Sequence, residues 1–593
     1  MRSIHSLEVT MLSFLALLHG IQASPNPPCP LLNAYYPSPI NLTTSDRIGS
    51  AAAGSETQLL QALRNGSAFG QLDPNMTTFS VDVYSLHSEE SLFTYHYTPE
   101  LLSSLGTSGV SVVDSNSVFR VGSVSKLWTV FLYLIEAGDD SWNRPITDFV
   151  PELAAITERK PSSEDQVDNV SWESITVGAL ASQMSGIGRD SAYSAELAGG
   201  LESLGLTNQG GNIHSACGDP ARTMLPCNRT AFFEDFSFQH PVTESWLTPV
   251  YSNTNYQILS YALENITGKT MEDIFTHSLV QRLDLNGTYY ATPATMDSSF
   301  IPINSTISWW DGNTLDETPA GGYYSNINDM HTIGKAMLNS TLLSPVQTRR
   351  WMKPSAFTSN PDFAVGAPWE IMRAPGSPVS WMYTKSGDLG MYSALVGLMP
   401  DLGLGFSVLS GGASTTAQVA TVASIVSAQF VPALWDQAKD ETSEIYGGTY
   451  TDESTNSTFV VSVASDSPGL LVEEFTIGGE DVISLLGSML GSSLTVRLYT
   501  MGLSQAGIDD STTVSWRAIF ETAALQSAST PSRNCVSWQL VNQYLYGGVG
   551  LDEFLFLLDP SGQSAISLES RIVGVSELKS GNSTVASRRL LRH

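Results

Sequence analysis

The chain has 593 residues, 42% of them hydrophobic and only 15% charged, with a formal charge of −30 from 28 basic against 58 acidic side chains. That length exceeds one ordinary domain, so two large domains are expected, and the composition excludes a disordered chain. The acidic charge is spread along the sequence, which argues against nucleic acid and anionic membrane as partners and otherwise serves solubility.

Arg2 and His5 precede an apolar run from Val9 to Leu18, with small residues at Ala23-Ser24. This is the layout of a secretory signal peptide, residues 1–23, and the run is too short to span a bilayer comfortably. No later stretch reads as a membrane anchor. Export is supported by N-x-S/T sequons at Asn41, Asn65, Asn75, Asn169, Asn228, Asn265, Asn286, Asn304, Asn339, Asn456 and Asn582. The four cysteines point the same way, since none lies in a metal-type C-x-x-C pair. By proximity alone, Cys217 pairs with Cys227 and Cys29 with Cys535, although four cysteines allow three pairings.

Residues 24–75 are polar, with one helical patch around Leu59 to Leu63. Phe79 to Tyr84 and Leu92 to Tyr97 read as strands, the first with period-two alternation. After Ser123 the period changes: Leu127, Val130, Phe131, Leu134 and Ile135 mark a helix packed on one face, with Gly138 at its C-terminal end. A second such helix runs from about Tyr256 to Ile266 and stops at Gly268. Val379 to Lys385, Tyr392 to Leu398 and Gly405 to Leu409 follow as three strands. Ala417 to Gln437 is helical and closes the first domain, residues 24–440, which is of the α+β class. From about Ile445 short strand-like runs recur: Thr458 to Val463, Leu470 to Ile477, Leu494 to Tyr499, Thr513 to Phe520, Cys535 to Tyr546 and Glu553 to Leu558. Residues 441–593 therefore read as a smaller all-β domain, a barrel or sandwich, with a short basic tail.

The usual hydrolase signatures are missing. There is no G-x-S-x-G, no H-E-x-x-H and no glycine-rich phosphate loop, so neither a metal nor another cofactor is called for. Ser123-Val124-Ser125-Lys126 does offer chemistry. A serine hydroxyl needs a neighbouring base, and on a helix Lys126 lies on the same face as Ser123, three residues on. The pattern occurs about once by chance in such a Ser-rich chain, and Ser576 to Lys579 fits it too. The amphipathic helix behind Ser123 separates the two.

Phe119-Arg120-Val121-Gly122-Ser123-Val124-Ser125-Lys126 is similar to the F-R-x-G-S-x-[ST]-K signature of the serine β-lactamase and penicillin-binding protein group: class C β-lactamases, DD-peptidases and related esterases. Pro145 to Leu153 and Ile175 to Ile187 also resemble that family, the latter without its usual histidine. Tyr251-Ser252-Asn253 matches the family's Y-x-N, and Lys385-Ser386-Gly387 its K-[ST]-G, on what reads as an edge strand. A second Tyr324-Ser325-Asn326 lies inside a segment resembling P-A-G-G-x-x-S and is read as structural. The three motifs stand in family order, about 125–135 residues apart.

The resemblance covers roughly residues 75–435. It implies a β-lactamase/transpeptidase-like fold, an antiparallel sheet with flanking helices, and an acyl-enzyme on Ser123. Lys126 and Tyr251 would share the proton, either one being the base. Asn253 would bond the substrate amide or the lysine, and the backbone N–H groups of Ser123 and Asp388 would form the oxyanion hole. Lys385, Ser386 and Gly387 would hold the substrate, and lysine rather than histidine at 385 leans towards one that bears a carboxylate. Trp128, Phe131 and Tyr133 read as core, and Trp309 and Trp310 as structural rather than cleft-lining. The expected activity is hydrolysis of an amide, lactam or ester in a small or peptide-like substrate. The alternatives are acyl transfer in natural-product biosynthesis and a secreted binding protein that keeps the fold without turnover.

Overall fold

The computed structural model describes residues 30–572 and 578–581, apart from 33, 101–108, 191–226, 375–378, 466, 508 and 523–536. The signal segment, Cys29, Cys217, Cys535, Asn582 and the serine at 576 lie outside the described residues. The chain divides into a unit spanning Ile40–Leu434 and a second made of residues up to Pro39 together with those from Trp435 onward. The second unit thus takes in the described residues 30–39, which the sequence reading assigns to the first.

In the first unit, eight strands form one antiparallel sheet: β1 (Thr77–Ser85), β2 (Phe93–Tyr97), β3 (Ala356–Phe357), β4 (Phe363–Val365), β5 (Glu370–Arg373), β6 (Trp381–Leu389), β7 (Tyr392–Met399) and β8 (Leu404–Gly412). Their order is β2-β1-β8-β7-β6-β5-β4-β3, so the first strands meet the last. Val81 faces Val408 in the β1–β8 register, and every residue of β1 and β8 is buried. Such strands need apolar or small side chains on both faces, as Phe79, Val81 and Val83 supply with Ser80 between them. Helix α1 (Asp46–Arg64) carries the apolar patch seen at Leu59 and Leu63. Helix α2 (Ser125–Ala137) follows the nucleophile motif and ends where Gly138, φ 63°, returns its N–H to Leu134. Helix α3 (Thr254–Thr267) ends at Gly268 in the left-handed region. Trp128, Phe131 and Tyr133 of α2 are core, as is Trp310.

Two expectations change here. Helix α4 spans Thr415–Tyr446, starting close to the predicted Ala417 but running well past the predicted end at Gln437. It is also long and apolar enough to cross a membrane by length and composition, which the sequence reading did not recognise. In its most apolar window 61% of the helix is buried within the protein, with Val422, Ile425, Phe430 and Leu434 among its core residues.

The second unit contains β9 (Gly448–Asp452), β10 (Ser457–Val463), β11 (Leu470–Ile477), β12 (Leu494–Ala506), β13 (Thr512–Thr522), β14 (Glu553–Leu558), β15 (Ala565–Ser570) and β16 (Leu578–Gly581). They pair in the order β10-β9-β16-β15-β14-β13-β12-β11, and β10 pairs again with β11. The sheet therefore closes into an eight-stranded antiparallel barrel rather than a sandwich. Closure removes the open strand edges that invite pairing with other chains. Tyr450, Phe459, Phe475, Trp516, Phe554 and Phe556 join its core, so large rings fill this barrel. The predicted strand Cys535 to Tyr546 does not form. Ser537–Leu540 is one helical turn and only Leu545–Tyr546 is extended. Helix α5 (Val482–Leu490) was missed although Val482, Leu485, Leu486, Met489 and Leu490 recur at helical spacing, a short signal set among strand-like runs.

Eight sequon asparagines, Asn41, Asn65, Asn75, Asn228, Asn265, Asn286, Asn339 and Asn456, are exposed, and Asn169 and Asn304 are half-buried. No described cysteine is free, and Cys227 is disulfide-bonded. Ser537 Oγ donates to the carbonyl of Pro30 at 3.1 Å, so the neighbours of Cys29 and Cys535 meet.

Candidate active site

Phe119 and Arg120 pair with Ser325 and Tyr324, and the chain then turns at Gly122, φ 52°, through a single 3₁₀ turn, Gly122–Val124, into α2. Ser123 lies in that turn, one residue ahead of the α-helix. Around it Gly122, Val124, Ser125 and Lys126 are buried while Ser123 reaches solvent. The turn is braced from within, since Ser125 Oγ donates to the Gly122 carbonyl at 2.7 Å and accepts the Tyr323 N–H at 3.1 Å.

The i to i+3 expectation holds. Lys126 Nζ donates to Ser123 Oγ at 2.9 Å, and Tyr251 OH donates to the same oxygen at 2.7 Å. Lys126 also donates to the Ala320 carbonyl at 2.5 Å, and its ammonium lies 5.1 Å from the Tyr251 ring and 5.4 Å from that of Tyr256. The P-A-G-G-x-x-S segment is therefore structural as expected, but it also supplies a carbonyl to Lys126 that sequence reasoning did not foresee. Within it, Tyr324 OH donates to the Trp310 carbonyl at 2.6 Å.

Burial pushes the Lys126 amine below its ordinary value, opposed in part by Tyr251, and the nearby Lys385 charge lowers it further. For Tyr251 burial is the largest influence and acts upward. The charges of Lys126 and Lys385, with the hydrogen bonds to Ser123 and Lys126, outweigh it and leave the phenol below its ordinary value. The two groups share one hydroxyl and shift each other, so they titrate as a pair.

The K-S-G motif sits in β6, which is flanked by β7 and β5 and is therefore no edge strand. Its pairing with β5 stops at Glu370↔Thr384, however, so residues 385–389 run on beyond β5 while still paired to β7. That stretch backs onto the nucleophile turn. A Cβ on Gly387 would stand 2.2 Å from the Val121 oxygen and 2.5 Å from the Ser123 nitrogen. From the other side, a Cβ on Gly122 would stand 2.5 Å from the Asp388 nitrogen. Only glycine at both positions lets the two backbones meet, which brings the Ser123 and Asp388 peptides together. The Asp388 side chain turns to Ser393 Oγ at 2.5 Å and Thr416 Oγ1 at 2.6 Å.

Lys385 does not offer the free charge expected of it. Its side chain is 1% exposed, and Nζ donates to Glu370 Oε1 at 2.5 Å and to the Ser386 carbonyl at 2.8 Å. Glu370 Oε2 accepts from Ser386 N at 2.9 Å and Ser386 Oγ at 2.8 Å. Glu370 was missed, and only the β5–β6 register could have pointed to it. Asn253 differs too: its Nδ2 donates to Asp190 Oδ1 at 2.5 Å. The neighbouring Arg189 lies with its guanidinium 4.7 Å from the Tyr251 ring centre. Arg189 and Asp190 directly follow Ser185-Gly186-Ile187-Gly188, the only sequence signal that could have flagged them.

A family model described as "Beta-lactamase" matches residues 103–427, and one described as "Beta-lactamase-like-like, C-terminal domain" matches 438–580. A "Beta-lactamase-like protein" of Arthroderma benhamiae is 25% identical over 92% of this chain and 94% of its own length. "Probable hydrolase clz13" of Cochliobolus lunatus is 24% identical over 83% of this chain and 79% of its own. Among solved structures, a class C β-lactamase aligns with a TM-score of 0.45 and 16% identity, covering 65% of this chain and 99% of the enzyme. The D-amino acid amidase of Ochrobactrum anthropi aligns with the same score and identity, over 66% of this chain and 99% of its own.

Proposed function

We propose, on the premise that this chain belongs to the β-lactamase family, that it is a secreted serine hydrolase working through an acyl-enzyme on Ser123. One observation carries the reading. A solvent-reaching serine oxygen receives hydrogen bonds from both a buried lysine amine and a tyrosine hydroxyl. Two relatives whose names include "hydrolase" agree with it.

In this scheme one member of the Lys126–Tyr251 pair has given up its proton to solvent; Ser123 Oγ attacks the carbonyl carbon of an amide, lactam or ester, and its proton passes to that unprotonated member. The tetrahedral oxygen is held by the N–H groups of Ser123 and Asp388. The carbonyl–leaving group bond breaks, the pair returns the proton to the departing nitrogen or oxygen, and Ser123 is left acylated. Water, deprotonated by the same pair, then releases the acid and restores Ser123. The lowered Tyr251 phenol and lowered Lys126 amine suit this traffic, since each lies closer to neutrality than the free side chain.

Secretion belongs to the same reading. It is supported by the exposure of most sequon asparagines, by the disulfide at Cys227 and by the meeting of Pro30 with Ser537. The test is covalent labelling of the full chain with a fluorophosphonate, followed by peptide mapping. Label on Ser123, lost in Ser123→Ala and kept in Ser576→Ala, is the expected result. Label on Ser576, or none in the folded wild-type protein, refutes the assignment.

A further inference from the structure

We infer that Arg189 is the anion-recognition group of this site and that the acyl part of its substrate carries a carboxylate; this rests on Ser123 being the nucleophile. Among the described residues three cations stand over the Tyr251 ring, Lys126, Lys385 and Arg189, and the first two are unavailable. Lys126 is fully buried and committed to Ser123 Oγ and the Ala320 carbonyl. Lys385 is buried against Glu370, so a substrate carboxylate there would displace or repel an existing one. Exchanging partners in a buried ion pair gains little, because the incoming anion must also be desolvated.

Arg189 differs on each point. Its side chain is 63% exposed, and its ion pair with Asp190 is a 3.4 Å contact through Nε. With Arg189 exposed, a contact of that length is weak, although the Asp190 side chain is only 14% exposed, and it leaves the two terminal nitrogens for a bidentate acceptor. Asp190 is also held elsewhere, by the 2.5 Å bond from Asn253. Arg189 is nevertheless tied to the site. Its carbonyl accepts the Asn253 N–H at 2.7 Å, which fastens it to the Tyr251-Ser252-Asn253 loop, and its guanidinium lies over the Tyr251 ring. The hydroxyl of that ring is 2.7 Å from Ser123 Oγ, so the fork stands one aromatic ring away from the reacting atom. A planar cation stacked on a ring keeps its edge free for a planar carboxylate.

The experiment needs no natural substrate. Phenylboronic acid and the three carboxyphenylboronic acids, which form tetrahedral adducts with an active serine, compete with a fluorophosphonate for Ser123. The wild-type protein is expected to bind the best carboxylated boronate about tenfold more tightly than the neutral one, the effect of one charge-assisted hydrogen-bond pair. Arg189→Gln should erase that ratio, and Arg189→Lys, a point charge without the fork, should keep part of it. A ratio that survives in Arg189→Gln, a wild-type preference for the neutral boronate, or a wild-type protein that labels but is protected by neither, overturns the inference. Failure of wild-type labelling altogether would instead refute the nucleophile assignment.

Discussion

Replacing Gly387 by alanine tests whether β6 and the Ser123 turn form one machine. The new Cβ would sit 2.2 Å from the Val121 oxygen, 2.5 Å from the Ser123 nitrogen and 2.7 Å from the Val124 nitrogen. All three are backbone atoms, so no side chain can swing aside. Restoring an ordinary 3.4 Å contact to Val121 requires the strand and the turn to part by about 1.2 Å. A hydrogen bond of about 2.9 Å from either peptide to a tetrahedral oxygen would stretch beyond bonding range. Losing one such donor costs about 10²- to 10³-fold, and a misplacement near 1 Å costs about 10²-fold by itself. The fold should survive, because β6 remains paired to β7 over seven residues, Tyr383 to Leu389. Overpacking of this kind costs about 1–3 kcal/mol. Over the roughly 400 residues of Ile40–Leu434 the unfolding entropy is about 0.8 kcal/mol per kelvin, so the melting temperature falls by only about 1–4 °C. The assay pairs a thermal melt with the second-order rate of fluorophosphonate labelling. A Gly387→Ala protein that labels within threefold of wild type would refute the reasoning.

Three further outcomes follow from the same geometry. Glu370→Gln strips the carboxylate from buried Lys385 and should cost about 3 kcal/mol, or a fall of about 4 °C in a thermal melt, because the loss of one partner strands a charge; an unchanged melt would mean that the ion pair is dispensable. The labelling rate should rise with pH through a first midpoint, that of the pair, below that of a free lysine or tyrosine. Tyr251→Phe removes the group that raises the Lys126 amine, so the midpoint should move down, whereas Lys126→Met removes the larger of the two charges that lower Tyr251 and moves it up; pH–rate profiles of the two variants would refute the coupling by shifting the same way. Non-reducing peptide mapping should find Cys29 joined to Cys535 and Cys217 to Cys227, and a Cys29–Cys217 or Cys29–Cys227 peptide would contradict the pairing.

Much of this was legible in the sequence because the information is local. Ser123 and Lys126 lie one helical turn apart, so their meeting depends only on helix geometry. The strands Leu470–Ile477 and Glu553–Leu558 fall where their alternation puts them. What sequence could not reach depends on register between distant segments. Nothing in Trp369-Glu370 announces a partner for Lys385, because that contact exists only once β5 and β6 align Glu370 with Thr384. Asp190 likewise meets Asn253 across 63 residues of chain. The predicted strand Cys535 to Tyr546 failed for the opposite reason. Its β-prone composition was local, but few of its residues find a partner strand, and β-propensity without a neighbour does not make a strand.

The barrel's membership also sets an order of events in synthesis. Tyr36 donates to the carbonyl of Ser467, and Ser537 to that of Pro30, pairs that stand 431 and 507 residues apart. At about 5–20 residues per second, the first partner waits on the order of 25–100 s for the last to leave the ribosome. Ile40–Leu434 is delivered whole in the interval and can close without it. The barrel strands, all between Gly448 and Gly581, are therefore made last, and only then can residues 30–39 bond to that unit. Until Ser467 and Ser537 emerge, Tyr36 lacks its acceptor and Pro30 its donor, so residues 30–39 are the part of the second unit that waits longest for its partners.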